Sequence, residues 1–187
     1  MIHQRDETDS WGVGTYFLGV PQTSKSSILD WIAGWFPKTF IGVIEDQIEA
    51  QFGQTSFLRS RVIIGPEVGR NCKMDQSTIQ SMITDLWQVV HVKRKDPMLV
   101  RMLCHIALAG NVFPVSWKDN GGSLLRRFVI VLFLREISAS MLVMNSDFKD
   151  GLASEIPVAM QLFNECYLTL ARDVVKSDIW SCLPAYF

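Results

Sequence analysis

The chain of 187 residues has almost no net charge, since 18 Lys and Arg stand against 19 Asp and Glu. That balance excludes a polybasic protein that holds nucleic acid by bulk electrostatics, so any nucleic-acid contact has to be local. Cysteine is scarce: Cys72, Cys104, Cys166 and Cys182 form no C-x-x-C, and with only three histidines there is no zinc-finger spacing. They read as buried thiols of a reducing compartment. Long apolar runs are missing too. The longest, Phe128 to Leu134, has seven residues, against the roughly 20 a membrane helix needs, and suits a strand buried on both faces. The opening MIHQRDETDS is polar and acidic and lacks the apolar core of a secretory signal. No internal repeat or low-complexity stretch appears. What is present, 48% hydrophobic and 20% charged residues, belongs to a folded chain with one core rather than two.

Apolar strands alternate with helical patterns. Val13 to Val20 is β-branched and aromatic, and Ser24 to Phe36 follows with helical spacing through Ile28, Leu29, Ile32 and Trp35, ending at Pro37. Further strands are expected at Thr39 to Ile44, Arg61 to Gly65, Met102 to Ala109 and Arg127 to Leu134. A polar helix carrying Glu45 and Glu49 follows the second strand. Asp75 is placed to cap a helix through Ile79, Met82, Ile83 and Leu86. Gln88 to Lys95 alternates like a short hairpin arm, and Pro157 to Val175 has helical spacing. Strands joined by helices predict a parallel α/β sheet covered on both faces. The expected organisation is a polar segment at 1–12, an α/β core at 13–150 and a helical segment at 151–187.

Gly19-Val20-Pro21-Gln22-Thr23-Ser24-Lys25-Ser26 matches G-x-x-x-x-G-K-[ST], with Ser24 in place of the second glycine. Loop N–H groups and a helix N-terminus would cradle phosphates, Lys25 would reach the β and γ oxygens, and the Ser26 hydroxyl would reach Mg²⁺. The side chain of Ser24 resists backbone angles that glycine accepts freely. The bland alternative is that TSKSS is a polar N-cap run. Such a loop needs an acid at the end of a neighbouring strand. Glu67 ends VIIGPE, and Glu45 and Asp46 end FIGVIED; the second pair also suits a solvated helix start, and Glu67 is the preferred choice.

The stretches ALAGNVFP, at 107–114, and KDNGGSLLRRF, at 118–128, resemble the superfamily 3 helicases of large DNA viruses, of the primase-helicase type found in poxviruses and giant viruses. In that family a strand ends in an Asn near a Pro, and a short Asp, Gly and Ser segment leads to paired Arg and an apolar strand. The order and spacing agree: 42 positions from Lys25 to Glu67, 44 to Asn111, and 15 to Arg126. The similarity covers roughly 15–134.

The resemblance implies a three-layer P-loop NTPase, AAA+-like, that hydrolyses ATP with Mg²⁺. Gly19, Ser24, Lys25 and Ser26 would form the nucleotide loop, Ser26 and Glu67 would serve the metal, and Glu67 would be the catalytic acid. Asn111 would position the lytic water, and Arg126 or Arg127 would be an arginine finger acting in a neighbouring subunit of a hexameric ring. The hairpin would point His91, Lys93 and Lys95, on one face of its arm, at single-stranded DNA. A primase domain or subunit on another chain is an implied partner, a membrane is not, and the setting would be intracellular, in a host cytoplasm or nucleus. Pro66 stands where many members have an Asp that helps hold Mg²⁺. Each element also has a plain alternative: a turn at Gly110-Asn111, a solvated strand entrance at the Arg pair, a solvated basic turn at the hairpin. His105 reads as a core histidine, and Trp31 and Trp35, at i,i+4, as core or subunit packing. Two rival classes stay open: a nucleotide-binding scaffold without turnover, and a phosphate-loop kinase or signalling NTPase.

Overall fold

The computed structural model describes residues 11–45, 53–102, 104–118, 122–137 and 148–174. They fall in two compact units, one within Gln4–Met141 and one from Leu142 onward. The first holds strands β1 (Gly14–Gly19), β2 (Ile41–Val43), β3 (Val62–Gly65), β4 (Gln88–Val90), β5 (Met98–Val100), β6 (His105–Gly110) and β7 (Phe128–Phe133), with helices α1 (Lys25–Ala33) and α2 (Gln76–Ile83). The second holds α3 (Phe148–Val174).

Five strands make one parallel sheet in the order β2-β3-β6-β1-β7. The chain leaves the interior strand β1 for the edge at β2, returns through β3 and β6, and passes β1 to reach β7. That reversal makes β1 a topological switch point, and the carboxyl ends beside it are where such sheets hold ligands. Strand alternation sorts the two faces. Phe17, Ala107 and Ala109 pack with Leu29 of α1, and Val62 and Ile64 pack with Ala33. On the opposite face Tyr16, Ile63, Ile106, Leu108 and Phe128 pack with Ile79, Met82 and Ile83 of α2. The result is helix, sheet, helix, as the sequence pattern predicts.

Local chemistry sets the helix ends. The last turn of α1 tightens after Ala33, where Trp35 and Phe36 donate to the Ile32 and Ala33 carbonyls at 3.1 and 3.0 Å. Pro37, which has no N–H to give the Ala33 carbonyl, follows this turn. α2 is capped as expected: the Asp75 carboxylate accepts from the Thr78 N–H at 2.9 Å and the Thr78 hydroxyl at 2.7 Å. It ends sooner than predicted because Asp85 turns left-handed, at φ 55°, which takes Leu86 out of the helix and leaves it exposed. Asp85 is itself buried and ion-paired with Arg101, whose Nε also donates to the Asp85 carbonyl at 3.2 Å. This pair closes the base of the antiparallel β4–β5 hairpin, with Val89 opposite Leu99.

Several sequence expectations need correction. β7 is an edge strand of the sheet, pairing with β1 alone in the described set, and Leu132 on it is exposed; an apolar run marks a strand but not its position in the sheet. His105 is exposed at the start of β6, not a core residue. Cys72 and Cys104 are buried, but Cys166 is exposed on α3, and Cys182 lies outside the described residues. α3 starts at Phe148 and carries Pro157 inside it rather than at its start. The polar helix expected after Glu45 falls on 46–52, outside the described residues. Among the described residues no helix is long and apolar enough to cross a membrane.

The cap on α2 makes a pH-dependent contribution. Burial pushes the Asp75 carboxyl up, but hydrogen bonds from Ser77 and Thr78 outweigh it and hold the pKa below the ordinary 3.8. A folded pKa below the unfolded one means stability present above the unfolded value and lost as pH falls through the folded one. Asp75→Ala is expected to cost about 1 kcal/mol at neutral pH, with the deficit shrinking under acid, in urea titrations run as a pH series.

Candidate functional site

Three of the loops that leave the sheet at its carboxyl edge build the candidate site. β1 ends at Gly19, β3 at Gly65 and β6 at Gly110, and the register sets Leu18 beside Gly110 and Leu108 beside Gly65. The loop after β1 meets the loop after β3 where the Ser26 hydroxyl donates to the Pro66 carbonyl at 2.9 Å. The loop after β3 is stitched to β6 and the loop after it by four bonds. Val68 N–H donates to Ala109 at 2.7 Å, Val115 N–H to Arg70 at 2.9 Å, Ser116 Oγ to Cys72 at 3.1 Å, and Trp117 Nε1 to Met74 at 2.8 Å, each to a carbonyl. From beneath, Tyr16 of β1 donates its buried hydroxyl to the Val112 carbonyl at 3.1 Å, with its ring 4.5 Å from Phe113. Gly110 makes this possible, since a Cβ there would lie 2.5 Å from the Tyr16 hydroxyl and 2.6 Å from the Val68 carbonyl.

The Lys25 loop is held on one side by β7 and the segment that follows it. Val20 N–H donates to the Phe133 carbonyl at 3.1 Å and Ile137 N–H to Gln22 at 2.9 Å. Gly19 has no room for a Cβ, which would fall on the Phe133 carbonyl. Gln22 and Ser24 are left-handed, at φ 57° and 63°. Ser24 thus sits in the backbone region glycine favours, and its side chain makes no capping hydrogen bond to α1. The Lys25 side chain does not project outward, as the sequence reading has it. It is buried and folded back, with Nζ donating to the Gly19 and Val20 carbonyls and to Thr23 Oγ1. Burial pushes its pKa below the ordinary 10.5.

Glu67 and Asn111 are exposed at this same edge, the first one residue beyond Pro66 and the second one residue beyond β6. Glu45 follows the edge strand β2, three places from β1, whereas Glu67 follows β3, two places away. No group of three His, Cys, Asp or Glu able to hold a metal occurs among the described residues. A Ser26 hydroxyl and a Glu67 carboxylate fit Mg²⁺, which keeps several waters and relies on one or two carboxylates with substrate phosphates.

The remaining candidates lie elsewhere. Arg126 and Arg127 precede β7, whose Phe128 pairs with Gly14, so they sit at the amino edge of the sheet. A six-residue strand puts that edge about 20 Å from the Lys25 loop. Arg127 donates through Nη1 to the Ser123 carbonyl, and Arg126 is exposed. His91, Lys93 and Lys95 are exposed, but they do not share a strand face: β4 stops at Val90, and a turn with Arg94 at φ 62° gathers them at the hairpin tip. Sequence reasoning passed over Thr23 and Tyr16. Thr23 looked like one more polar N-cap residue, and Tyr16 like one more aromatic in a strand; nothing in a linear pattern marks a hydroxyl partner across the sheet.

No family model matches the chain, and no curated protein sequence matches it. Solved structures do. The chain is similar to an apo A form of the C-terminal region of NrS-1, with a TM-score of 0.59 and 14% identity over 79% of this chain and 35% of that one. A second apo structure of that region, residues 305–718, gives a TM-score of 0.57 at 15% identity with the same coverage. The likeness is one of fold, and the chain spans about a third of those structures.

Two substitutions at this edge are expected to act in opposite directions. Gly110→Ala forces a methyl into the Tyr16 hydroxyl and the Val68 carbonyl and should cost about 1–3 kcal/mol. Ser24→Gly relieves a left-handed non-glycine residue without losing a cap bond and should gain about 1 kcal/mol. Denaturant unfolding of both proteins checks the signs.

Proposed function

We propose that this chain is the P-loop ATPase core of a ring-forming DNA helicase of the superfamily 3 type, hydrolysing ATP to move on single-stranded DNA during viral DNA replication. The observation that carries the reading is the Ser26 to Pro66 hydrogen bond, which joins a G-x-x-x-x-S-K-S loop to the strand end bearing Glu67, with Asn111 on the adjoining strand. The loop N–H groups and Lys25 bind the phosphates. Glu67 takes a proton from the attacking water, the water oxygen bonds the γ-phosphorus, the β–γ bridging oxygen leaves with ADP, and Asn111 holds that water. Ser26 and Glu67 would hold Mg²⁺, which would supply neutralisation of phosphate charge.

Arg126 lies too far from its own loop to serve it, so it acts in the next subunit. That contact joins two different surfaces, the amino edge of one sheet and the carboxyl edge of another, and a heterologous contact of this kind makes a ring when its rotation closes. The basic hairpin tip supplies the local DNA contact that the neutral chain otherwise lacks. A second reading, a nucleotide-binding assembly subunit with weak turnover, draws on Pro66, which supplies no carboxylate.

DNA-stimulated ATPase assays decide between the two. Glu67→Gln is expected to keep nucleotide and lose hydrolysis, and Lys25→Ala to lose both. Arg126→Ala should bind ATP but turn over roughly 10³-fold more slowly or worse. Mixing it with Lys25→Ala should restore part of the activity, because the lysine variant lends its arginine to the intact loop. Nucleotide binding with no turnover under any condition selects the assembly subunit.

A further inference from the structure

We propose that Thr23 is a latch that parks the Lys25 ammonium inside its own loop, so that an incoming phosphate must displace a hydroxyl before the lysine can serve it. The proposal rests on the reading of this loop as a nucleotide site. Thr23 and Lys25 are 6% and 7% exposed, buried together in a loop whose other residues, 20–22, 24 and 26, are exposed. An ammonium has three N–H donors and no acceptor. All three are used here, on the Gly19 carbonyl at 3.0 Å, the Val20 carbonyl, and Thr23 Oγ1 at 3.0 Å.

The latch has a defined polarity. Thr23 has one hydroxyl hydrogen, and it is directed to the Val20 carbonyl at 3.1 Å. What faces Lys25 is therefore a lone pair, so Thr23 acts as an acceptor in a closed set of Thr23, Val20 and Lys25. The three acceptors are neutral oxygens. A phosphate offers charged oxygens and stronger, charge-assisted bonds, so it wins the lysine, but against the bonds already made. Two of the three acceptors are main-chain carbonyls that substitution leaves in place. Thr23 is the one acceptor set by side-chain identity, which makes it the positioning residue that tunes how readily Lys25 is released.

Thr23→Val keeps the shape and removes the lone pair, Thr23→Ser keeps the hydroxyl, and Thr23→Ala is a smaller second variant should the valine protein not fold. In the ligand-free full chain, the rate at which an amine-reactive acylating reagent modifies Lys25, read by peptide mass, should rise severalfold in Thr23→Val and Thr23→Ala and stay at the parent rate in Thr23→Ser. The Kd for ATP should fall about three- to tenfold in the first two and not in the third. Unchanged labelling in the valine and alanine proteins overturns the latch, whatever the nucleotide does. Faster labelling with weaker ATP binding also overturns it, since the hydroxyl would then be helping the lysine toward phosphate. Faster labelling in a chain that binds no ATP in any form overturns the nucleotide reading itself, and displacement by phosphate with it.

Discussion

The Tyr16 hydroxyl is the polar group on which the arrangement of the edge depends. It sits on an interior strand in a fully buried position, among Phe113, Trp117 and Phe128, where an unpaired hydroxyl costs more than a formed hydrogen bond returns. Its acceptor is the Val112 carbonyl, and reaching it requires the chain after β6 to fold back over the ring. That in turn requires Gly110, because the phenol and the Val68 carbonyl both approach to where a Cβ would be. One buried phenol thus fixes the turn that carries Asn111. The same turn brings Val115, Ser116 and Trp117 against the carbonyls that hold the loop beyond Glu67.

A parallel sheet has a direction, and the direction separates the candidate residues into two groups. Every strand end carries its chemistry to the same edge, so the Lys25 loop, Glu67 and Asn111 converge although they are far apart in sequence. The Arg pair enters a strand rather than leaving one, so it must lie at the other edge. Both facts come from topology, not from side-chain contacts. They keep Arg126 and Arg127 about a strand's length from the Lys25 loop of their own chain.

Much of this was legible in the sequence, for stated reasons. Apolar runs ended by Gly, as at Phe17 to Gly19 and Ile63 to Gly65, mark buried strands, and Asp75 ahead of a periodic stretch marks a helix start. What was not legible depends on neighbours. The run at Phe128 to Leu134 is as apolar as an interior strand, yet it lies at an edge, because an apolar run reports which side chains favour burial and not a place in the strand order. Alternation at His91, Lys93 and Lys95 implied one face, but alternation has meaning only while a strand lasts, and β4 ends at Val90. The inward fold of Lys25 is set by two carbonyls and a hydroxyl that a motif does not show.

The two departures from the expected motif are tolerated for different physical reasons. Ser24 occupies a left-handed backbone position, and the loop on either side is already fixed, by Val20 and Ile137 to the β7 segment and by α1. The surroundings hold the strained residue in place, as strained residues persist only where the structure around them decides the geometry. Pro66 acts through its main chain. Its carbonyl accepts the Ser26 hydroxyl hydrogen, which leaves the lone pairs of that oxygen turned away from the strand end. Any residue at 66 presents a carbonyl, so the contact between loop and strand survives the absence of an acid there. The negative charge does not survive it, and at this strand end that charge rests on Glu67.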